Sequence, residues 1–157
     1  METKDVVAII ISAIGVVAAI TTVALKALFE YRKQGVAQRA EMFLKMRSRL
    51  REDPSFKNIC HLLQAYDNAG LGAIASEDRG RFMGFFEEVA LMRNSGLIND
   101  TVTYYMFGHF AMRCLECDGF FNGIDRGEPL LSLFMDFANE MTAKKTTFKY
   151  DRKDFIL

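Results

Sequence analysis

VVAIIISAIGVVAAITTVAL, residues 6–25, runs for 20 positions without a charge. Eleven of these residues are Val, Ile or Leu, and the polar members are Ser12, Thr21 and Thr22. At about 1.5 Å per residue, such a helix spans roughly 30 Å, the thickness of a bilayer's hydrocarbon core. The Val, Ile and Leu side chains together favour insertion by on the order of 4 kcal/mol. Ser and Thr bond back to helix carbonyls, which makes them tolerable in lipid. The stretch therefore predicts a transmembrane helix. Two other readings are weaker. A cleaved signal peptide wants a basic start and a shorter apolar core, whereas Met1-Glu2-Thr3-Lys4-Asp5 is not basic. A buried core helix is rarely this long and this free of charge.

Charge orients the helix. Residues 26–51 carry Lys26, Arg32, Lys33, Arg39, Lys45, Arg47, Arg49 and Arg51 against Glu30 and Glu41, a net +6. The positive-inside rule then places the amino terminus outside and the larger carboxyl-terminal part in the cytoplasm, on the inner membrane. A reducing cytoplasm also suits three cysteines, too few and of the wrong parity for a disulfide scaffold. Membrane lipid is the first expected partner. Lys26, Arg32 and Lys33 are near enough for anionic headgroups, whose pull fades over about 8 Å. The more distal arginines read as a solvated face. Ala8, Ser12, Gly15 and Ala19 fall on one stripe, a small-residue pattern that supports helix pairing and so a homo-oligomer. The same residues are common in passive anchors, and both readings stand.

The whole chain has 157 residues, 20 cations and 20 anions. A zero net charge argues against a nucleic-acid partner, and 50% apolar residues exclude a disordered chain. Beyond residue 25 the pattern is helical. Val36, Ala40, Phe43, Leu44 and Leu50 recur at helical spacing within 29–50, with Gly35 as a hinge. Asp53-Pro54 signals a helix start, and Phe56, Ile59, Leu62, Leu63 and Tyr66 form its inward face. Residues 68–75 (NAGLGAIA) read as a loop. Ser76 caps the next helix, in which Phe82, Phe85, Phe86, Val89 and Met92 face the core until Gly96 stops it. Asn99 or Asp100 caps a helix carrying Val102, Tyr105, Met106, Phe110, Cys114 and Cys117, with a bend at Gly108. Glu128-Pro129 starts the last, with Leu130, Leu133, Phe134, Phe137 and Met141 inward. The expectation is an all-α protein, a single N-terminal transmembrane helix followed by a helical bundle of about five helices. It divides into segment 1–25, a basic juxtamembrane helix 26–52, a bundle 53–145 and a polar tail 146–157.

Phe85-Phe86-Glu87-Glu88-Val89-Ala90-Leu91, then Gly96-Leu97-Ile98, then Tyr105-Met106-Phe107-Gly108 resembles an uncharacterised prokaryotic domain-of-unknown-function family. Its members place one N-terminal transmembrane helix before a cytoplasmic helical domain. The resemblance covers residues 30–142 loosely. It implies a prokaryotic membrane-anchored protein and brings no reaction, cofactor or catalytic residue with it.

Chemistry has little material. There is no phosphate-binding GxxxxGK[ST], no GxGxxG after a strand, no HExxH and no GxSxG. Cys114 and Cys117 form a CxxC that Cys60, His61 and His109 could complete as a zinc site. Cys60-His61 is adjacent and mid-helix, however, and a redox CxxC normally opens a helix rather than closing one. Small buried thiols are the plainer reading, with no metal and no cofactor expected. Consecutive Glu87 and Glu88 diverge by about 100° and cannot share a substrate. Glu88 reads as the buried polar member, paired with Arg113 or Arg47, or else as part of a solvated face; His109 and Arg113 are the other candidate buried polar residues. Phe155-Ile156-Leu157 reads as a partner-docking signal, a fold-back or a degradation signal.

Two functional classes follow. The first is a non-enzymatic scaffold that holds a cytoplasmic protein partner, or copies of itself, at the membrane. The second is a helical ligand-responsive regulator or enzyme with a pocket between helices. An exposed apolar patch over a closed interior favours the first. A pocket lined by Glu88, His109 or arginines favours the second.

Overall fold

The computed structural model describes residues 3–149 and 153; for residues 3–20, 24, 28 and 31–34 it describes the backbone alone. Among the described residues seven α-helices follow one another: α1 Thr3–Glu52, α2 Pro54–Ala65, α3 Asn68–Ala73, α4 Ser76–Asn94, α5 Asp100–Thr103, α6 His109–Glu116 and α7 Ser132–Lys144. A π-helical turn, Tyr104–Gly108, joins α5 to α6. Two 3-10 turns, Asp118–Phe121 and Pro129–Leu131, connect α6 to α7. No strand occurs among the described residues.

The chain forms two compact units, Met1–Gln38 and Arg39–Leu157. In the first, the backbone is helical from Thr3 onward. Ala8, Ser12, Gly15, Ala19, Arg32 and Lys33 lie in α1 with side chains outside the described residues, and Lys26 is exposed. Among the described residues no helix is long and apolar enough to cross a membrane; the charge-free stretch lies outside them from residue 6 to residue 20. Phe155, Ile156 and Leu157 also lie outside.

The second unit is a bundle built round α4. Phe82, Met83, Phe85, Phe86, Val89, Ala90 and Met92 bury a face about half the circumference of this helix. Its phenylalanines meet those of α2 edge to face and those of α7 tilted or stacked. Phe56 of α2 lies 5.1 Å from Phe82 and 5.5 Å from Phe85, and Phe86 reaches Phe134 and Phe137 of α7 at 6.1 Å. Edge-to-face packing suits the ring quadrupole, and each fully buried Phe contributes about 1.5–3 kcal/mol.

The bundle begins earlier than the 53–145 boundary expected from sequence. Phe43, Met46 and Leu50 are core residues, so the second half of the basic helix packs into the bundle. Asp53 then turns the chain sharply. Its side chain accepts from the Ser55 and Phe56 amides, with Pro54 at the first helical position.

Four sequence expectations need correction. Residues 68–73 are helical because the Asp67 carboxylate accepts the Gly70 amide at 2.8 Å. Ala75, not Ser76, stands at the cap of α4, and no side chain bonds there. Gly108 marks a widened turn rather than a bend. A Cβ there would come within 3.3 Å of both Met141 Sδ and the Tyr104 ring. The widened turn shifts helical phase, leaving Tyr105 exposed while Phe107 is buried. Finally, Tyr66 and Leu130 are outside the core, since Tyr66 ends α2 in the left-handed conformation at φ 53° and Leu130 lies in a 3-10 turn.

Candidate functional site

The loop-free turn at Asp53 sets α1 and α2 side by side, and a solvent-open cleft of about 390 Å³ lies between them. Arg47 and Arg51 of α1 are four residues apart, which puts them on one face. Lys57 and His61 repeat that spacing on α2. Leu50, Phe107 and Phe110 supply an apolar floor, with Met106 beside them. Two of these floor residues come from the π-helical turn. Such turns re-aim side chains and are frequent at functional sites.

Among the described residues no carboxylate lines the cleft. Elsewhere the bundle pairs its arginines: Arg49 with Glu88 (2.9 Å), Arg81 with Asp53 and Asp78, Arg93 with Glu140, Arg113 with Glu116 (3.0 Å) and Arg126 with Asp118 (2.7 Å). Arg47, Arg51 and Lys57 make no ion pair among the described residues.

Cys60 also borders the cleft, and burial pushes its thiol up to about 12. Burial likewise raises Cys114, with smaller contributions from Cys60 and Cys117. It raises Cys117 too, against the opposing pull of Arg113. A raised pKa keeps a thiol protonated at neutral pH, the less nucleophilic state. Among the described residues no three His, Cys, Asp or Glu side chains converge in a metal-holding cluster. His61 and His109 are both exposed, and the His109 ring stands edge-on to Phe110.

The predicted buried polar set is rearranged. Glu88 is half exposed and accepts both bonds of an Arg49 nitrogen at 2.9 Å; its partner is neither Arg113 nor Arg47. Glu87 is the less accessible of the two, because the phase that exposes Glu88 turns Glu87 toward Phe134 of α7. Burial raises the Glu87 carboxyl while the Phe134 backbone amide pulls it down, and its Oε1 is buried without a hydrogen-bond partner. Arg113 is half-buried. It lies 4.0 Å over the Tyr66 ring, whose hydroxyl donates to Glu116.

Sequence reasoning missed Arg79. It is 3% exposed and donates to the carbonyl of Phe120 at 2.8 Å and that of Gly119 at 3.3 Å. Burial lowers its pKa. It fastens α4 to the turn after α6, a structural task.

A second groove of about 380 Å³ runs between α1 and α4, lined by Met42, Met46, Leu91 and Met92, with Lys45, Arg49 and Glu88 at its edge. Met42 and Leu91 are exposed. Flexible methionines are suited to adaptable apolar contacts.

Scans against protein-family models, curated proteins and solved structures found no match to this chain.

Proposed function

We propose that this chain is a single-pass, membrane-anchored helical module of the inner membrane, prokaryotic like the family its sequence resembles, with its bundle in the cytoplasm. Its task is to hold a protein partner, or copies of itself, at the membrane, without chemistry of its own. The observation that carries the reading is the charge-free stretch 6–25 followed by a net +6 over residues 26–51. The Ala8, Ser12, Gly15 and Ala19 stripe supports pairing of anchors. The methionine-lined groove between α1 and α4 supports docking of an amphipathic partner helix by its apolar face.

The test is fractionation of the full chain and of a version lacking residues 1–25. The full chain is expected to stay with membranes through alkaline carbonate washing, and the shortened one to move to the supernatant. A reporter fused after Leu157 is expected to be active only in the cytoplasm. A full chain in the supernatant, or a reporter active outside, overturns the reading.

A specific observation favours a second reading, a ligand-responsive regulator. The cleft lined by Arg47 and Arg51 is the kind of pocket that reading requires.

A further inference from the structure

The cleft between α1 and α2 has a composition that a purely structural surface has no need of. Arg47 and Arg51 are like charges one helical turn apart, a placement that disfavours the helix. Lys57 adds a third cation from the opposite wall. Among the described residues no acid offsets them, whereas the neighbouring Arg49, on the other side of the same helix, holds Glu88. Beneath the cations lie Leu50, 7% exposed, and Phe107, 1% exposed, with half-buried Phe110. An apolar floor excludes water on one side and strengthens the field of the cations above it.

These features select a ligand with two parts. A guanidinium presents a planar fork of donors that matches a carboxylate or a phosphate. Three cations with no anion beside them among the described residues favour the more highly charged of the two. A phosphate monoester carries about −1.5 to −2 at neutral pH, twice the charge of a carboxylate. The aromatic and aliphatic floor calls for an apolar body attached to that phosphate. A cleft of about 390 Å³ falls within the size range of small-molecule sites.

We propose that this cleft binds a phosphate monoester carried on an apolar group, with Arg47, Arg51 and Lys57 holding the phosphate and Leu50, Phe107 and Phe110 receiving the apolar part. The ligand comes either from a bilayer, as a lipid phosphate monoester, or from solution. The site lies wholly within the Arg39–Leu157 unit, and it stands whether or not residues 6–25 enter a membrane.

The experiment uses the full chain in a non-ionic detergent and titrates naphthyl phosphate, with naphthol and inorganic phosphate as separated halves of the probe. Saturable one-site binding of naphthyl phosphate is expected, at least tenfold tighter than either half. Removing two charged hydrogen-bond donors in Arg47→Gln/Arg51→Gln should weaken it about tenfold or more. The charge-matched Arg126→Gln/Lys145→Gln, away from the cleft, should change it less than about twofold. Should the double cleft variant fail to fold, Lys57→Gln, an exposed position on α2, is expected to weaken binding on its own. The protein is then placed in phosphatidylcholine nanodiscs with and without phosphatidate. Displacement of the probe by phosphatidate identifies the lipid as the source, and undiminished probe binding identifies a soluble phosphoester. Absence of saturable binding, equal affinity for naphthol or for inorganic phosphate, or unchanged affinity in the cleft variants overturns the proposal.

Discussion

Gly119→Ala tests the packing of the bundle at its least forgiving point. Gly119 lies in the 3-10 turn Asp118–Phe121, directly against the backbone of α3. A Cβ on Gly119 would stand 2.0 Å from the Asn68 carbonyl oxygen and 2.7 Å from its carbon. An ordinary carbon-to-oxygen approach is about 3.3 Å, so the turn must move by roughly an ångström or α3 must yield. Its φ is not in the left-handed region, which only Gly96 and Gly123 occupy among the described glycines, so the penalty is purely steric. Overpacking of this kind costs about 1–3 kcal/mol. Displacement also strains the Gly119 amide's bond to Asn68 Oδ1 (2.8 Å), worth about 0.5–1.5 kcal/mol. It further disturbs the carbonyls that hold the buried Arg79 guanidinium, a charged contact worth about 1.5–3 kcal/mol. These losses overlap, and ~3–5 kcal/mol is expected in total. For a chain of this length that lowers the thermal midpoint by ~10 °C or more. Gly84→Ala is the counterpart. It sits inside α4 with nothing within 4 Å of the added Cβ, so helix propensity alone should stabilise it by about 1 kcal/mol. Thermal melts of the full chain in detergent, followed by circular dichroism, read both. A Gly119→Ala midpoint within about 2 °C of the parent, or a Gly84→Ala loss as large as that of Gly119→Ala, refutes the packing argument.

The Glu87 carboxyl is raised by burial, so ionising it costs more in the folded state than in the unfolded chain. Its contribution is therefore fully present at low pH and is lost as pH rises from about 4.5, its ordinary value, through the raised one. Glu87→Gln should be the more stable protein at neutral pH, with the gap closing below the carboxylate range; denaturation at a series of pH values would contradict this if the gap stayed constant. The Arg49–Glu88 pair is 36% and 51% exposed, and a double-mutant cycle should give a coupling of only about 0.2–1 kcal/mol that shrinks with added salt. Cys60, Cys114 and Cys117 should resist a thiol reagent at pH 8 and react together on denaturation, because burial keeps each protonated; rapid labelling of the native protein would overturn that account.

The aromatic helix was legible because its pattern is extreme. Phe82, Phe85, Phe86, Val89 and Met92 were expected inward and are buried, since a phenylalanine-rich face leaves the chain few other ways to escape water. Local capping chemistry was equally plain at Asp53-Pro54, Asn99 and Gly96, where one or two residues determine the conformation. Two of the misses concern tertiary packing, whereas the 68–73 helix turns on a local cap by Asp67. The π-helical turn at Tyr104–Gly108 ends where Gly108 packs closely on Met141, more than thirty residues away in sequence, and it changes which side of the helix Tyr105 occupies. Arg79 was passed over for the same reason. The carbonyls that hold it belong to residues 119 and 120, and nothing near Arg79 in the chain advertises them.

The cleft was half visible. In sequence, residues 26–51 form one basic stretch that sets orientation, with its distal arginines as a solvated face. A helix does not keep such a run together. Successive residues rotate by about 100°, so Arg49 is carried roughly 200° from Arg47, while Arg51 returns to within about 40° of it. One helix therefore presents Arg49 to α4, where Glu88 neutralises it, and Arg47 and Arg51 to α2, where Lys57 and His61 add donors instead of acids. The rotation follows from the sequence alone. The identity of the facing wall does not, because it depends on the angle at which Asp53 and Pro54 release α2. The absence of any carboxylate among the facing side chains becomes apparent only once that angle is known, and it is this absence that turns a basic stretch into a site with an anion to bind.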